Sequence, residues 1–124
     1  MYVTQEKEKS STAYNLPCVF KLHGEVDVER LKNSLQTIAA RHEILRTDFI
    51  MENDLFKQKI HDKTDIDFAY TEDNDTSVSL LALNFVQAFD LSKSPLFRAK
   101  LVKKADCSIL LIDIHHIVCD AISM

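Results

Sequence analysis

The apolar run from residue 109 to 114 constrains the fold of this 124-residue chain more than any other stretch. Apart from Asp113, the run contains only Ile and Leu, a pattern typical of a strand buried on both faces of a sheet. Two histidines, His115 and His116, follow at once, and Asp120 comes four residues after the second. The sequence therefore predicts a buried strand that presents reactive side chains at its carboxyl end.

Composition allows one modest core and argues against several classes of protein. Hydrophobic residues make up 46% of the chain and charged residues 27%, with a net charge of −4, so one domain or part of one is expected. The lysines are scattered, which indicates no nucleic-acid partner. Short apolar runs and a charged start predict neither a membrane span nor a secretory leader, and hence a cytoplasmic location. Three cysteines without C-x-x-C spacing indicate reduced thiols and no zinc site.

Hydrophobic periodicity and turn residues predict the elements along the chain. Asp27 is expected to cap the clearest helix, and Pro95 to keep the second helix from running past Asp90. The predicted elements are the tail of a helix at 1–5, a strand at 17–24, a helix at 28–42, a hairpin at 45–60, an edge strand at 66–71, a helix at 78–89, and a second hairpin of 97–102 and 107–114.

The histidine segment suits acyl transfer, because a fixed imidazole can take a proton from an attacking amine, hydroxyl or thiol. His116 and Asp120 would share one face of a helix, whereas on a loop the carboxylate could turn inward and hold the strand end. Arg46, predicted on a strand face opposite Leu45 and Phe49, must reach either water or a carboxylate. Asp120 is a candidate partner for Arg46, and a solvated sheet face is the alternative.

Two motifs resemble those of nonribosomal peptide synthetase condensation domains. Residues 41–49, RHEILRTDF, resemble the R-H-E-x-L-R-T-x-F motif of that family, and residues 115–121, HHIVCDA, resemble its H-H-x-x-x-D-G motif. Residues 14–17 and 89–98 also resemble sequence segments that are typical of the family. The resemblance thus covers almost the whole chain, with the two motifs in the family's order.

The resemblance implies a function and residue roles. Condensation domains join two substrates held as thioesters on phosphopantetheine arms, and form a peptide bond when the acceptor amine attacks the donor carbonyl. It implies that His116 acts as base or positions the amine, that His115 supports the loop, and that Asp120 and Arg46 form a structural ion pair. No cofactor is expected to bind directly. The implied partners are peptidyl carrier protein domains, an adenylation domain and the carboxyl-terminal lobe of the same synthetase.

The resemblance also implies an α+β fold, with a mixed, largely antiparallel sheet flanked by helices. This fold is half of a two-lobe architecture similar to chloramphenicol acetyltransferase. Residues 1–124 resemble only the amino-terminal subdomain, truncated at both ends. We therefore expect the fragment alone to be inactive and to expose apolar surface that favours self-association. Ala121 replaces a family glycine, which costs about 1 kcal/mol if that position needs positive φ, or narrows the passage for the pantetheine arm.

Other functions remain open at this point. Epimerisation domains and stand-alone acyltransferases of the same superfamily share the histidine pattern, whereas a heterocyclisation domain would carry an aspartate-based motif instead. A non-catalytic docking or structural lobe is the alternative outside enzymes. We expect His23 and His61 to be surface histidines and Cys119 to be neither a nucleophile nor a metal ligand. Asp113 is predicted to be buried, and either His115 or the following loop is its expected partner.

Overall fold

The structure, a computed structural model, describes residues 11–118, which form six strands, two α-helices, a short 3-10 helix and a helical turn at 116–118. In chain order these are β1 (Asn15–Leu22), α1 (Val28–Arg41), the 3-10 helix (Glu43–Arg46), β2 (Thr47–Glu52), β3 (Leu55–Ile60), β4 (Asp67–Glu72), α2 (Val78–Phe85), β5 (Phe97–Lys103) and β6 (Ser108–His115). The helix expected at residues 1–5 lies outside the described range. None of the described helices has the length and apolar character needed to span a membrane.

Four strands form one sheet in the order β1, β6, β5, β4. Strand β6 runs antiparallel to both of its neighbours, and β4 runs parallel to β5, to which α2 connects it. Strands β2 and β3 pair separately as an antiparallel hairpin. The predicted α+β fold with a mixed, largely antiparallel sheet is confirmed, and so is the edge position predicted for β4. The apolar strand that leads to the histidines is paired on both sides.

Local signals explain the first helix and the first hairpin. The Asp27 side chain accepts a hydrogen bond of 3.1 Å from the Arg30 amide, which caps α1 as predicted. Asn53 and Asp54 have φ values of 51° and 62°. These two residue types tolerate the left-handed conformation that a two-residue hairpin turn with the favoured twist requires. The turn therefore fixes the register of β2 against β3.

Two core clusters hold the elements together. The first lies beneath α2, where Leu81 packs on Val102, Cys107, Ile109 and Leu111. The second surrounds the carboxyl end of β6. It consists of Ala39, Leu45, Phe49, Phe89, Leu91, Leu96, Phe97 and Val118. Apolar side chains thus pack closely around the histidine end of β6. Such packing holds the end of a strand in a fixed geometry.

The structure corrects two predicted element boundaries. Helix α2 ends at Phe85 and not near Asp90, because the carbonyl of Gln87 accepts tertiary hydrogen bonds and Phe89 is drawn into the second cluster. Arg46 belongs to the 3-10 helix and not to a strand, so its predicted position on a strand face is wrong. There the Thr47 hydroxyl donates to the carbonyl of Glu43 over 2.7 Å, which supports the helical turn.

Candidate active site

The two histidines stand where β6 ends. His115 is the last residue of the strand, and His116 begins a helical turn that continues to residue 118. The main-chain N–H of His115 donates to the carbonyl of Leu96 over 3.0 Å, and that of His116 donates to the carbonyl of Tyr14 over 2.8 Å. The segment before β5 and the segment before β1 therefore hold the two backbones on opposite sides.

His115 is fully buried, with 0% of its surface exposed. Its Nδ1 accepts a hydrogen bond of 3.1 Å from the Ile117 amide, and the rings of Tyr14 and Phe89 flank it at centroid distances of 6.1 Å each. Burial, with the neighbouring His116 as a second cause, lowers the pKa of His115 from 6.5 to about 4. The imidazole is therefore neutral at neutral pH and bonded to the turn that follows it. This geometry suits the loop-supporting role, which stays a prediction.

His116 is half-buried, so it has the access to solvent that His115 lacks. Its role as base or amine-positioning group stays a prediction. Cys119, Asp120 and Ala121 lie outside the described residues. The expected ion pair between Asp120 and Arg46 and the effect of Ala121 accordingly remain predictions as well.

Arg46 is half-buried and bonded to main-chain carbonyls. Its Nε donates to the carbonyl of Ala39 over 3.2 Å, and its Nη1 donates to that of His61. The guanidinium thus ties the end of α1 to the end of β3, so it does not lie on a solvated sheet face. Its neighbour Leu45 shares the second core cluster with Val118, which brings this segment close to the chain that follows the histidines.

Asp113 has partners that neither predicted alternative included. The carboxylate is 0% exposed, and its Oδ2 accepts a hydrogen bond of 2.7 Å from Nδ2 of Asn15. The same oxygen lies 3.9 Å from Nη1 of Arg98, whose side chain is 13% exposed. Burial raises the pKa of Asp113, because the Asn15 hydrogen bond and the Arg98 charge offset the loss of water only in part. Among the described residues, the side chains that pair with it thus come from β1 and β5.

A second carboxylate fastens the hairpin to the loop before β5. Oδ2 of Asp48 lies 2.6 Å from Nε2 of His61, and Oδ1 accepts a hydrogen bond of 2.7 Å from the Ser94 amide. Desolvation alone would raise the pKa of Asp48, but the bonds from His61 and Ser94 outweigh it and lower that pKa. His61, expected as a surface histidine, is therefore half-buried and paired.

Sequence reasoning missed Asn15, Arg98 and Phe89, which surround Asp113 and His115. One signal pointed to them, because they lie in the segments 14–17 and 89–98 that resemble sequences of the condensation-domain family.

Elsewhere, a cleft of about 530 Å³ opens at the Ser108 end of β6, where Tyr70 and Lys104 are among its lining residues. That cleft lies at the end of the strand remote from the histidines. Within residues 11–118, no three His, Cys, Asp or Glu side chains come together as a metal site.

The chain is similar to known proteins both in sequence and in fold. The family model described as "Condensation domain" matches residues 1–124. Tyrocidine synthase 2 of Brevibacillus parabrevis is 42% identical over 125 residues, which cover 100% of this chain and 4% of that protein. A four-domain nonribosomal peptide synthetase, holo-AB3403, superposes with a TM-score of 0.83 at 20% identity, covering 94% of this chain and 9% of that one. That likeness shows the fold.

A further solved structure is the complex of the X-domain and OxyB from teicoplanin biosynthesis. Its match has a TM-score of 0.74 at 29% identity, and covers 87% of this chain and 24% of that one. The chain thus spans only a small share of the length of the proteins that it resembles. Since the family model matches every residue from 1 to 124, the chain belongs to the condensation-domain family.

Proposed function

We propose that this chain is the amino-terminal subdomain of a nonribosomal peptide synthetase condensation domain, which forms a peptide bond between carrier-tethered aminoacyl or peptidyl thioesters. The observation that carries this proposal is the coincidence of a family match over the whole chain with a buried strand that ends at His115 and His116. The tyrocidine synthase relative gives further support, because it matches the chain over its full length.

In the proposed reaction, the acceptor amine attacks the thioester carbonyl of the donor. A carbon–nitrogen bond forms, the carbon–sulfur bond breaks, and the donor's phosphopantetheine thiolate leaves. His116 takes the amine proton or holds the amine in line, since it is the half-buried member of the histidine pair. His115 supports the turn through its bond to Ile117. The chain binds no cofactor of its own in this scheme, because the pantetheine arms belong to the carrier proteins.

The proposal includes a structural ion pair between Arg46 and Asp120. Two observations support it: Leu45 and Val118 belong to one core cluster, and the guanidinium already bonds two nearby carbonyls through Nε and Nη1. An arginine has five N–H donors, so this fork has capacity for a carboxylate as well. The pair would shape the site without taking part in proton transfer.

The partners in this proposal are peptidyl carrier protein domains, an adenylation domain and the carboxyl-terminal lobe of the same synthetase. The isolated fragment is inactive, because one lobe of the two-lobe fold cannot orient two tethered substrates. It also self-associates through exposed apolar side chains, of which Leu83 is 73% and Leu55 61% exposed. Light scattering on the 124-residue chain tests this. A monomer at high concentration would count against self-association, and dipeptide formation by the isolated chain would count against its inactivity.

A non-catalytic docking lobe is the second candidate. It is favoured by the X-domain relative, which was solved in complex with OxyB. In this case the fold would be used as a binding surface, and His116 would contribute nothing to product formation. Epimerisation domains and stand-alone acyltransferases share the histidine pattern and would require the same residue.

Product formation by the full-length synthetase separates these functions. With both carrier domains loaded, His116→Ala should abolish the peptide product, whereas His23→Ala, at an exposed histidine after β1, should leave it unchanged. Chiral analysis of the carrier-bound product distinguishes condensation from epimerisation. If the His116→Ala protein made product at the wild-type level, His116 would have no catalytic role. The docking role would then be the remaining candidate.

A further inference from the structure

Four segments of the chain meet around the carboxylate of Asp113, two residues before His115 on β6. Arg98 is its partner across the β5–β6 pairing, and Asn15 comes from the start of β1. The carbonyl of Gln87 accepts a bond of 2.7 Å from Nδ2 of Asn15 and one of 2.9 Å from Nη1 of Arg98. The first strand, the segment after α2, and both strands of the second hairpin are thereby joined at one point.

This junction also reaches the histidine. The guanidinium carbon of Arg98 lies 3.9 Å from the centroid of the Phe89 ring. The same ring meets the His115 imidazole nearly edge-on, at 6.1 Å and an interplanar angle of 81°. Phe89 is 6% exposed, so it has little room to move. It therefore links the arginine of the ion pair to the buried imidazole through its two ring contacts.

On this geometry, we propose that Asp113, Arg98, Asn15 and Phe89 form a positioning cluster, which fixes the His115 imidazole and with it the turn that carries His116. None of the four is a catalytic residue. They act on the reaction through His115, so the inference rests on the function proposed above. The bonds of Asn15 to Asp113 and to the Gln87 carbonyl, and that of Arg98 to the same carbonyl, tie these segments into one arrangement.

The position of the cluster argues for more than stability. A buried ion pair is weak support for stability, because apolar residues in its place are often as good. Here, however, the cation is stacked on the Phe89 ring, which also meets the His115 imidazole. Displacing a reacting group by about 1 Å lowers the rate of a reaction by up to about 100-fold. Loss of the cluster should therefore lower the rate of bond formation more than the affinity for the acceptor carrier.

Phe89→Leu is the sharpest test, because it cuts the link to His115 and leaves the ion pair in place. Phe85→Leu is its matched control, since Phe85 packs against the cluster beneath α2. In the full-length synthetase, Phe89→Leu should lower the single-turnover rate by about 10-fold to 100-fold, with little change in KM for the acceptor carrier. Phe85→Leu should leave the rate close to that of the wild type.

Arg98→Met and Asp113→Asn should lower the rate in the same way, and Lys100→Met on the same strand should not. If either charge variant fails to fold, Phe89→Leu still decides the question. A wild-type rate for folded Phe89→Leu protein would overturn the inference.

A spectroscopic measurement separates this inference from the proposed function. Nitrogen chemical shifts of the His115 and His116 imidazoles, recorded in the labelled parent domain, should move in Phe89→Leu and stay in place in Phe85→Leu. If His116→Ala makes product at the wild-type rate, the proposed function is wrong. The chemical shifts then still test whether the cluster positions the two imidazoles. If His116→Ala is inactive while Phe89→Leu shows wild-type shifts and rate, the proposed function stands and the positioning cluster is wrong.

Discussion

The main-chain amide of His116 donates a 2.8 Å hydrogen bond to the carbonyl of Tyr14, the residue just before β1. The histidine that the proposed chemistry requires is thus held by a segment about a hundred residues away in the chain, through the β1–β6 pairing. A bond between main-chain atoms at the end of a paired strand gives the backbone of the site little freedom. The position of His116 therefore depends on how β1 docks.

Hydrogen exchange tests this dependence. The His115 and His116 amides should exchange slowly, because both donate to main-chain carbonyls of neighbouring segments. The Ala13 amide, which donates to the Ser11 hydroxyl at an exposed position, should exchange rapidly. Equal exchange rates for Ala13 and His116 would show that β1 does not hold the site.

Stability should fall below pH 6.5 because of His115. The unfolded chain protonates this residue near pH 6.5, whereas the folded chain does so only near pH 4, so falling pH favours the unfolded state between these values. The loss is on the order of 3 kcal/mol in total. Asp113 works in the opposite direction, because its raised pKa lets the folded state take up a proton first.

Comparison with His115→Asn isolates the histidine term, since both proteins keep Asp113. Denaturant unfolding at several pH values should show the wild type losing more stability than the variant from pH 6.5 to pH 4. Parallel curves for the two proteins would rule out a buried neutral imidazole at this position.

Arg46 should stabilise the fold through its fork of donors. Arg46→Met removes the bonds to the carbonyls of Ala39 and His61, and we expect a loss of about 2 kcal/mol in the free energy of unfolding. Arg46→Lys should recover only part of this, because an ammonium group lacks the fork. Arg41→Met, at an exposed position in the last turn of α1, should cost about 0.5 kcal/mol or less. Equal losses for Arg46→Met and Arg41→Met would refute this role.

Asp48→Asn should loosen the hairpin in a pH-dependent way. The lowered pKa of Asp48 means that its pairing with His61 stabilises the fold above the ordinary pKa of 3.8, and that this contribution is lost as pH falls further. We expect the variant to lose about 1 kcal/mol near pH 6. Thermal unfolding should show the difference shrinking below pH 3.8. A constant difference at all pH values would mean that the charge of Asp48 is not what matters.

The burial pattern was predictable from the sequence, whereas some local backbone was not. Leu45, Thr47 and Phe49 are 3%, 1% and 2% exposed, as their alternation predicts. Alternation alone does not distinguish a strand from the 3-10 helix that runs from Glu43 to Arg46. That helix depends on a hydrogen bond from the Thr47 hydroxyl to the main-chain carbonyl of Glu43. The end of α2 was mispredicted for a related reason: Gln87 and Phe89 are used in tertiary contacts.

The histidine end of β6 was predictable because a buried apolar strand followed by polar residues is a local signal. The partners of Asp113 were not, since Asn15 lies 98 positions away and Arg98 reaches it only through the β5–β6 pairing. Strand order in a sheet is set by long-range pairing, which periodicity does not encode. The family motifs supplied part of that information, because they marked the segments that contain both residues.

The most direct test of the proposed function is the single-turnover rate of peptide-bond formation by His116→Ala in the full-length synthetase, with donor and acceptor preloaded on their carriers. We predict a loss of about 100-fold or more, with a thermal midpoint close to that of the wild type because His116 is only half-buried. A wild-type rate in this folded variant would contradict the assignment of His116 and the condensation chemistry that we derive from it.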